Sequence, residues 1–329
     1  MRRVRARVEG TVQGVGFRPF VYRLASELDL AGFVLNDERG VLLEVEGRES
    51  AVDGFLRRLS EEAPPLAAIE AVRPHDVAPA GERGFRILAS PHGGEPAALV
   101  SPDSATCEDC LAELFDPSDR RSRYPFINCT NCGPRFTIVR GVPYDRPLTT
   151  MAGFELCPRC AAEYADPADR RFHAQPNACP ECGPTLRLLP GDTYGDEALR
   201  GAVAALREGR IVAVKGVGGY HLACLADDEP AVAALRARKH REEKPFAVMV
   251  RDVAAARELV SLTEEEAALL SGRDRPIVLA PRRAGAPLAP GSAAASAGRA
   301  VAPSVAPRSA DLGVLLPYSP LHHLLIADV

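Results

Sequence analysis

Short β-rich runs occupy Val4 to Val12, Val41 to Val45 and Phe85 to Leu88, and they alternate with two amphipathic stretches near residues 18–30 and 50–62. In the second stretch Val52, Phe55, Leu56 and Leu59 recur at helical spacing, and Arg57, Arg58, Glu61 and Glu62 form the wet face. This alternation predicts a small α/β sandwich over residues 1–90. Pro91 to Pro102, with its Gly-Gly pair, reads as a linker, which we extend to residue 106. Residues 107–190 contain few long apolar periods and need something other than a hydrophobic core. From residue 192 a helix (Asp196 to Glu208) precedes a buried-strand candidate (Ile211 to Val214). A helix (Glu229 to Arg238), a strand (Ala247 to Val250) and further candidates follow, so residues 192–329 read as an α/β domain. Within it, Gly285 to Pro307 is rich in Ala, Gly, Ser and Pro and is expected to be a mobile insertion or loop that buries little.

A chain of 329 residues is too long for one small module, and two or three compact units are expected. Hydrophobic residues at 46% and charged residues at 26% exclude a disordered, collagenous or coiled-coil chain. Forty Lys plus Arg against 44 Asp plus Glu leave a formal charge of −4, so no net attraction draws the chain to nucleic acid or anionic lipid. Met1-Arg2-Arg3-Val4-Arg5 leads into no apolar segment, and no run is long enough to cross a bilayer. A soluble, cytoplasmic chain with no membrane partner is expected.

Eight of the nine cysteines form four Cys-x-x-Cys pairs: Cys107/Cys110, Cys129/Cys132, Cys157/Cys160 and Cys179/Cys182. Within each half the pairs are eighteen residues apart, a spacing that lets two knuckles close one tetrahedral four-thiolate site. The halves repeat at an offset of fifty, Asp116-Pro117-Ser118-Asp119-Arg120-Arg121 matching Asp166-Pro167-Ala168-Asp169-Arg170-Arg171 and Cys132-Gly133-Pro134 matching Cys182-Gly183-Pro184. Two structural zinc ions are the expectation, because four thiolates leave no coordination position open for chemistry. Disulfides, redox pairs and iron–sulfur binding are the alternatives. Whether each ion draws its ligands from one half or from both stays open, though the repeat favours one half. The mixed charges between the knuckles suit a scaffold or docking surface better than a nucleic-acid surface.

Gly10-Thr11-Val12-Gln13-Gly14-Val15-Gly16-Phe17-Arg18 follows a strand and opens a helix. Glycines there allow consecutive backbone N–H groups of Gln13, Gly14, Val15, Gly16 and Phe17 to converge on an anion, and the helix N-terminus adds positive potential. The glycines alone would equally fit a turn without function. With Gly32-Phe33-Val34-Leu35-Asn36 and Gly40, the run resembles the two signatures of acylphosphatases, a resemblance that covers residues 4–88. It implies a ferredoxin-like α/β sandwich in which Arg18 binds phosphate and Asn36 orients the attacking water. The chemistry is consistent: a guanidinium fork matches phosphoryl oxygens, and a neutral amide positions water without repelling a dianion. The stretch from Gly40 to Gly47 is a residue shorter than in many stand-alone acylphosphatases.

In the C-terminal part, Arg238-Lys239-His240-Arg241-Glu242-Glu243-Lys244-Pro245-Phe246 places Lys239, Arg241 and Lys244 between a helix and a strand, where open α/β folds bind nucleotides. A solvated basic turn is the plain alternative. The run resembles the Lys-x-Arg-x-x-Lys-Pro-Phe signature of the YrdC family, which makes carbamoyl-type adenylates from ATP, and Lys215-Gly216-Val217-Gly218-Gly219-Tyr220-His221-Leu222-Ala223-Cys224 resembles its early strand and loop. Lys215, Lys239, Arg241 and Lys244 are therefore nucleotide-binding candidates. Cys224 reads as buried packing, and His221 as a pocket residue with even claims either way. His322 and His323 are adjacent, cannot share a helix face, and supply at most one site residue. His173 and Glu181 carry no expectation beyond the zinc loops.

An acylphosphatase-like module, a duplicated four-cysteine region and a YrdC-like domain, in this order, resemble the HypF family of hydrogenase maturation carbamoyltransferases across essentially all 329 residues. The resemblance implies hydrolysis of carbamoyl phosphate at the first module and adenylation of the carbamate with ATP at the third. A further domain would then transfer the carbamoyl group to the C-terminal cysteine of a partner, HypE, toward the cyanide ligands of nickel–iron hydrogenase. Fusion would shorten the path of a labile carbamate. The sequence stops at Ala327-Asp328-Val329, before the Ser-Gly-Asn segment that usually completes the YrdC-like fold. The expectation is therefore a domain incomplete at its C-terminus, with hydrolysis retained, adenylation impaired and transfer absent unless another polypeptide supplies it. Two other readings remain at this level: an acylphosphatase with a zinc-bearing tail, and a zinc and YrdC-like RNA-binding module.

Overall fold

A computed structural model describes residues 1–91, 97–283 and 301–329. The chain divides into two compact units, one comprising Met1–Ser104 and Ile127–Pro184, the other Ala105–Phe126 and Thr185–Val329. Among the described residues no helix is long and apolar enough to cross a membrane.

The first unit opens with β1 (Arg2–Thr11), α1 (Phe17–Glu27), β2 (Ala31–Asp37), β3 (Gly40–Gly47), α2 (Glu49–Glu61), β4 (Ala68–Val77) and β5 (Phe85–Ile87). The sheet order is β4-β1-β3-β2-β5, antiparallel except where β5 runs parallel to β2. This is the ferredoxin-like α/β sandwich with one added edge strand. Period-two alternation makes it two-faced. On β1, Val4, Ala6 and Val8 lie opposite Val45, Leu43 and Val41 of β3. All six are fully buried in one core with Val21 and Leu24 of α1 and Phe55 and Leu59 of α2. The alternate residues of β1 make ion pairs: Arg3 and Arg5 meet the buried Glu44, and Arg7 pairs with both oxygens of Asp37 at 2.8 and 2.7 Å. Asn36 and Asp37 thus leave β2 on opposite faces, so Asn36 sits on the helix side in register with Val41 while Asp37 faces Arg7. Gly32 has φ +134°, and a Cβ there would stand 2.1 Å from the Glu44 carbonyl oxygen, so only glycine lets β2 approach β3 this closely.

The two halves of the cysteine repeat each begin with a helix, α3 (Glu108–Phe115) and α4 (Pro158–Ala165), immediately preceded by Cys107 and Cys157. The duplicated Asp-Pro-x-Asp-Arg-Arg run makes the same turn twice. Asp116 and Asp166 each accept from the amide two residues on, at 2.9 Å, and Asp119 and Asp169 do the same at 2.7 Å.

The second unit carries a two-stranded pair, β6 (Arg187–Leu188) and β7 (Thr193–Tyr194), then α5 (Gly195–Arg207) and the hairpin β8 (Val212–Lys215) with β9 (Tyr220–Ala223). There follow α6 (Glu229–Arg238), β10 (Ala247–Met249), α7 (Val253–Leu259), α8 (Glu264–Ser271), β11 (Val278–Pro281), β12 (Asp311–Leu315) and α9 (Pro320–Asp328). β12 is the centre of a three-stranded sheet, parallel to β10 and antiparallel to β11. Helices α6, α7 and α8 start where Asp228, Asp252 and Thr263 accept from free backbone amides, and Glu266 completes a capping box with Thr263.

Two sequence expectations are corrected here. In the run from Ile211 to Val214 only Val214 is buried, because among the described residues β8 pairs with β9 alone. The segment expected to bury little is in fact buried at its end: Ala302, Val305 and Ala306 belong to the core around Val314, tied by Ala302 N–H to the Ala226 carbonyl and by Phe246 N–H to the Val305 carbonyl. Its residues 285–300 lie outside the described residues.

Phe55 is fully buried among the helix-face residues of the first sheet. Its replacement, Phe55→Ala, is expected to lower the unfolding free energy of the first unit by about 3–5 kcal/mol, measured by urea denaturation.

Candidate functional site: an anion loop walled by the zinc repeat

The loop between β1 and α1 turns inward because Gly14 and Gly16 adopt φ +74° and +75°. Val15 and Phe17 are buried, so their side chains hold the loop in the core and only their amides can serve a ligand. The Gln13 side chain is a strut. Its amide donates to the carbonyls of Asp37 and Gly40 at 2.7 and 2.8 Å, and its oxygen accepts from Tyr144 N–H at 2.7 Å.

Arg18 and Asn36, eighteen residues apart in sequence, come together here, 8% and 1% exposed. With the Asn36 amide turned to satisfy both groups, its oxygen accepts from Arg18 Nε and Nη2, each at 3.2 Å. Arg18 Nη2 also donates to Asp145 Oδ1 at 2.6 Å, and Asp145 Oδ2 accepts from the Ser90 hydroxyl. Further walls of the cavity are Thr130, Arg135, Tyr144 and His173. Arg135 is buried and donates to the carbonyls of Gly14, Cys129 and Thr130, bracing the loop from behind. A Cβ on Gly16 would lie 3.1 Å from the Thr130 Cβ, so the glycine leaves room for this wall.

Burial, reinforced by the positive charge of Arg18, pushes the His173 imidazole down to about 4. Sequence reading gave His173 no role here and did not single out Asp145, Tyr144 or Arg135. One signal was present. His173 stands where the first repeat has Arg123, both with φ +54°, so the second copy keeps the left-handed backbone and exchanges the side chain.

The four sulfurs of Cys157, Cys160, Cys179 and Cys182 lie within 4.8 Å of one another, and those of Cys107, Cys110, Cys129 and Cys132 do likewise. Each set comes from its own half of the repeat, which answers the pairing question. Tetrahedral coordination with bonds of about 2.3 Å sets the ligand sulfurs about 3.8 Å apart. The observed separations are 3.7 Å for Cys157–Cys179, 3.7 Å for Cys179–Cys182, 3.6 Å for Cys160–Cys182 and 3.8 Å for Cys129–Cys132. These fit zinc and are far beyond a disulfide bond. Burial pushes the Cys157 thiol up, but the Cys160 amide and neighbouring thiols overcome it and bring it down to about 7.

In the second unit a cavity of about 560 Å³ is lined by Lys239, Arg241, His221, Cys224, Phe246 and His322, among mostly apolar residues. Lys215 and Lys244 are not among its walls; Lys215 lies over the Tyr220 ring, 5.6 Å from its centroid. The Arg241 guanidinium stacks on Phe246 and donates to the carbonyls of Lys244 and Pro245 at 2.9 and 2.7 Å, which shapes the turn. Burial, with Asp228 nearby, raises the Cys224 thiol to about 11, the state of a packing residue. His221 Nε2 and the Tyr318 hydroxyl share a hydrogen bond of 2.6 Å, and His322 Nδ1 and Ser319 Oγ one of 2.8 Å.

Family models match in the same order. The acylphosphatase model covers residues 4–87, the HypF finger covers 106–139 and 156–189, and a Sua5/YciO/YrdC model described as telomere recombination covers 204–329. The fold and sites define a protein that joins an acylphosphatase-type anion loop to paired four-thiolate metal centres and a YrdC-like α/β domain. Over its whole length the chain belongs to the HypF carbamoyltransferase family. It is 50% identical over 329 residues to carbamoyltransferase HypF of Rhizobium leguminosarum bv. viciae, covering 100% of this chain and 40% of that protein. It is 51% identical to carbamoyltransferase HypF2 of Cupriavidus necator, covering 99% and 40%. A crystal structure of full-length HypF in the phosphate- and nucleotide-bound form superposes with a TM-score of 0.91 at 45% identity, covering 100% of this chain and 41% of that one. The chain thus spans about 40% of the length of these relatives.

The purified chain is expected to carry two zinc ions, and Cys160→Ser to carry one, by elemental analysis. For His173, with a folded pKa of about 4, the unfolded state takes up a proton below the ordinary 6.5 that the folded state refuses. Its contribution to stability is therefore full above that value and declines as pH falls from 6.5 toward 4. NMR titration is expected to find this imidazole neutral at pH 5.

Proposed function

We propose that the first unit hydrolyses carbamoyl phosphate and that the second supplies the ATP site at which the family-length protein adenylates the carbamate released, a step impaired in the present chain. The observation that carries the hydrolytic reading is the Arg18–Asn36 pair beside a loop with two left-handed glycines. The amides of Gln13, Gly14, Val15, Gly16 and Phe17 and the Arg18 guanidinium would hold the phosphoryl oxygens as charge develops on them. Asn36, its oxygen occupied by Arg18, keeps an N–H group to place the water that attacks phosphorus. The P–O bond to the carbamoyl group breaks, and phosphate and carbamate leave. The four-thiolate centres would hold the wall in place and take no part in the reaction.

Support for the nucleotide reading is the cleft with Lys239 and Arg241, and the relative whose structure is described as phosphate- and nucleotide-bound. Lys215 and Lys244 would reach nucleotide from outside the present walls. Transfer to the C-terminal cysteine of HypE, in hydrogenase maturation, is proposed for the family-length protein. A reducing compartment, the cytoplasm, suits a chain whose cysteines stand as reduced thiols. The domain boundaries we propose are 1–90, 91–106, 107–190 and 192–329.

Arg18→Ala is expected to reduce carbamoyl phosphate hydrolysis by roughly a hundredfold or more while metal content stays at two ions per chain. Unchanged turnover would overturn the assignment of the loop. Carbamoyl-phosphate-dependent ATP–pyrophosphate exchange tests the second unit.

A further inference from the structure

Arg18, a wall of the cavity, is bonded to a carboxylate that stands beside the cavity rather than among its walls. Asp145 bonds the same guanidinium that faces the loop, at 2.6 Å, and its side chain is 17% exposed. A phosphoryl dianion cannot share close quarters with a carboxylate, so the phosphoryl group must take the loop side of Arg18 and leave Asp145 to the uncharged end of the ligand. Arg18 has five N–H groups, of which Asn36 and Asp145 engage three, and the remaining two belong to Nη1. Asp145 accepts one hydrogen bond on each oxygen, from Arg18 and from Ser90, and a carboxylate has about four acceptor positions. Two are left. Two other titratable groups stand near Arg18 and Asp145: burial keeps the His173 imidazole neutral and raises the Tyr164 phenol, so neither adds a charge beside the carboxylate.

A carbamoyl group differs from an acetyl group by NH2 in place of CH3, two hydrogen-bond donors in place of none. The geometry points to Asp145 as the residue that selects an amino-bearing acyl phosphate, by accepting from that NH2. This rests on the hydrolytic reading above and adds its specificity determinant. An acetyl group would leave the remaining carboxylate lone pairs desolvated and without a donor, the situation in which a polar site rejects an apolar isostere most strongly.

The test compares carbamoyl phosphate with acetyl phosphate on the full chain and on Asp145→Asn and Asp145→Ala. Selectivity is read as the ratio of kcat/KM values, or of inhibition constants where one compound turns over too slowly to score. Metal content and thermal unfolding check each variant's fold, and Asp145→Asn serves if the alanine variant does not fold. The selectivity for carbamoyl phosphate is expected to fall by roughly tenfold or more in either variant. A ratio that stays unchanged, whether both activities drop together or neither moves, would assign Asp145 to holding Arg18 alone and overturn the inference. If the unaltered chain hydrolyses neither compound, the hydrolytic reading falls with it.

Discussion

The guanidinium of Arg18 is held from two sides, by the Asn36 amide on β2 and by the Asp145 carboxylate of the zinc repeat. An arginine side chain is long and rich in rotamers, and the two contacts hold it in one place, as the proposed anion site would need. The ferredoxin-like sandwich fixes the first contact through register, since Asn36 lies on the helix side of β2 and Arg18 lies in the first turn of α1. The second contact comes from 127 residues further along the chain. A site that looks local in sequence is therefore complete only when a distant segment has folded against it.

That segment buries most of its cysteines beside apolar side chains such as Ile127, Met151 and Phe172, and few of those side chains fall at regular spacing. Its order comes from thiolate clusters, from aspartates that cap repeated turns, and from buried arginines that donate to backbone carbonyls. Arg135 links the systems directly, because its guanidinium reaches the carbonyls of Cys129 and Thr130 on one side and of Gly14 on the other. Arg146 does similar work, donating to the carbonyls of Gln175, Asn177 and Phe154. Such arginines satisfy irregular backbone where neither helix nor sheet can, which metal-stapled segments require.

Much of this was legible before the structure. The helical spacing of Val52, Phe55 and Leu59, the strand runs and the cysteine register each report a local rule, and each element appeared where its rule placed it. β4 escaped notice because it is largely exposed, so its Ala68–Val77 run shows no apolar alternation. The strand at Ile211 to Val214 misled because an apolar run does not reveal how many neighbours a strand has. Asp145 was out of reach for a different reason. A lone aspartate beside Tyr144 carries no periodicity, and its meaning lies entirely in the tertiary contact with Arg18.

The divergence of the two repeat halves shows how such contacts can arise. The turn chemistry and the left-handed backbone at Arg123 and His173 are the same in both copies, so what the scaffold needs has been kept twice. The side chains that differ, with Phe172, His173 and Gln175 against Ser122, Arg123 and Pro125, are those the second copy turns toward the anion loop: Phe172 packs on Tyr22 of α1, and His173 and Gln175 line the cavity. A cationic residue at position 173 would compete with Arg18 for Asp145, whereas a neutral imidazole closes the wall and leaves the Asp145 contact to Arg18. The two copies share the turn, and the side chains at 172–176, which differ from those at 122–126, let the second copy form a wall of the cavity.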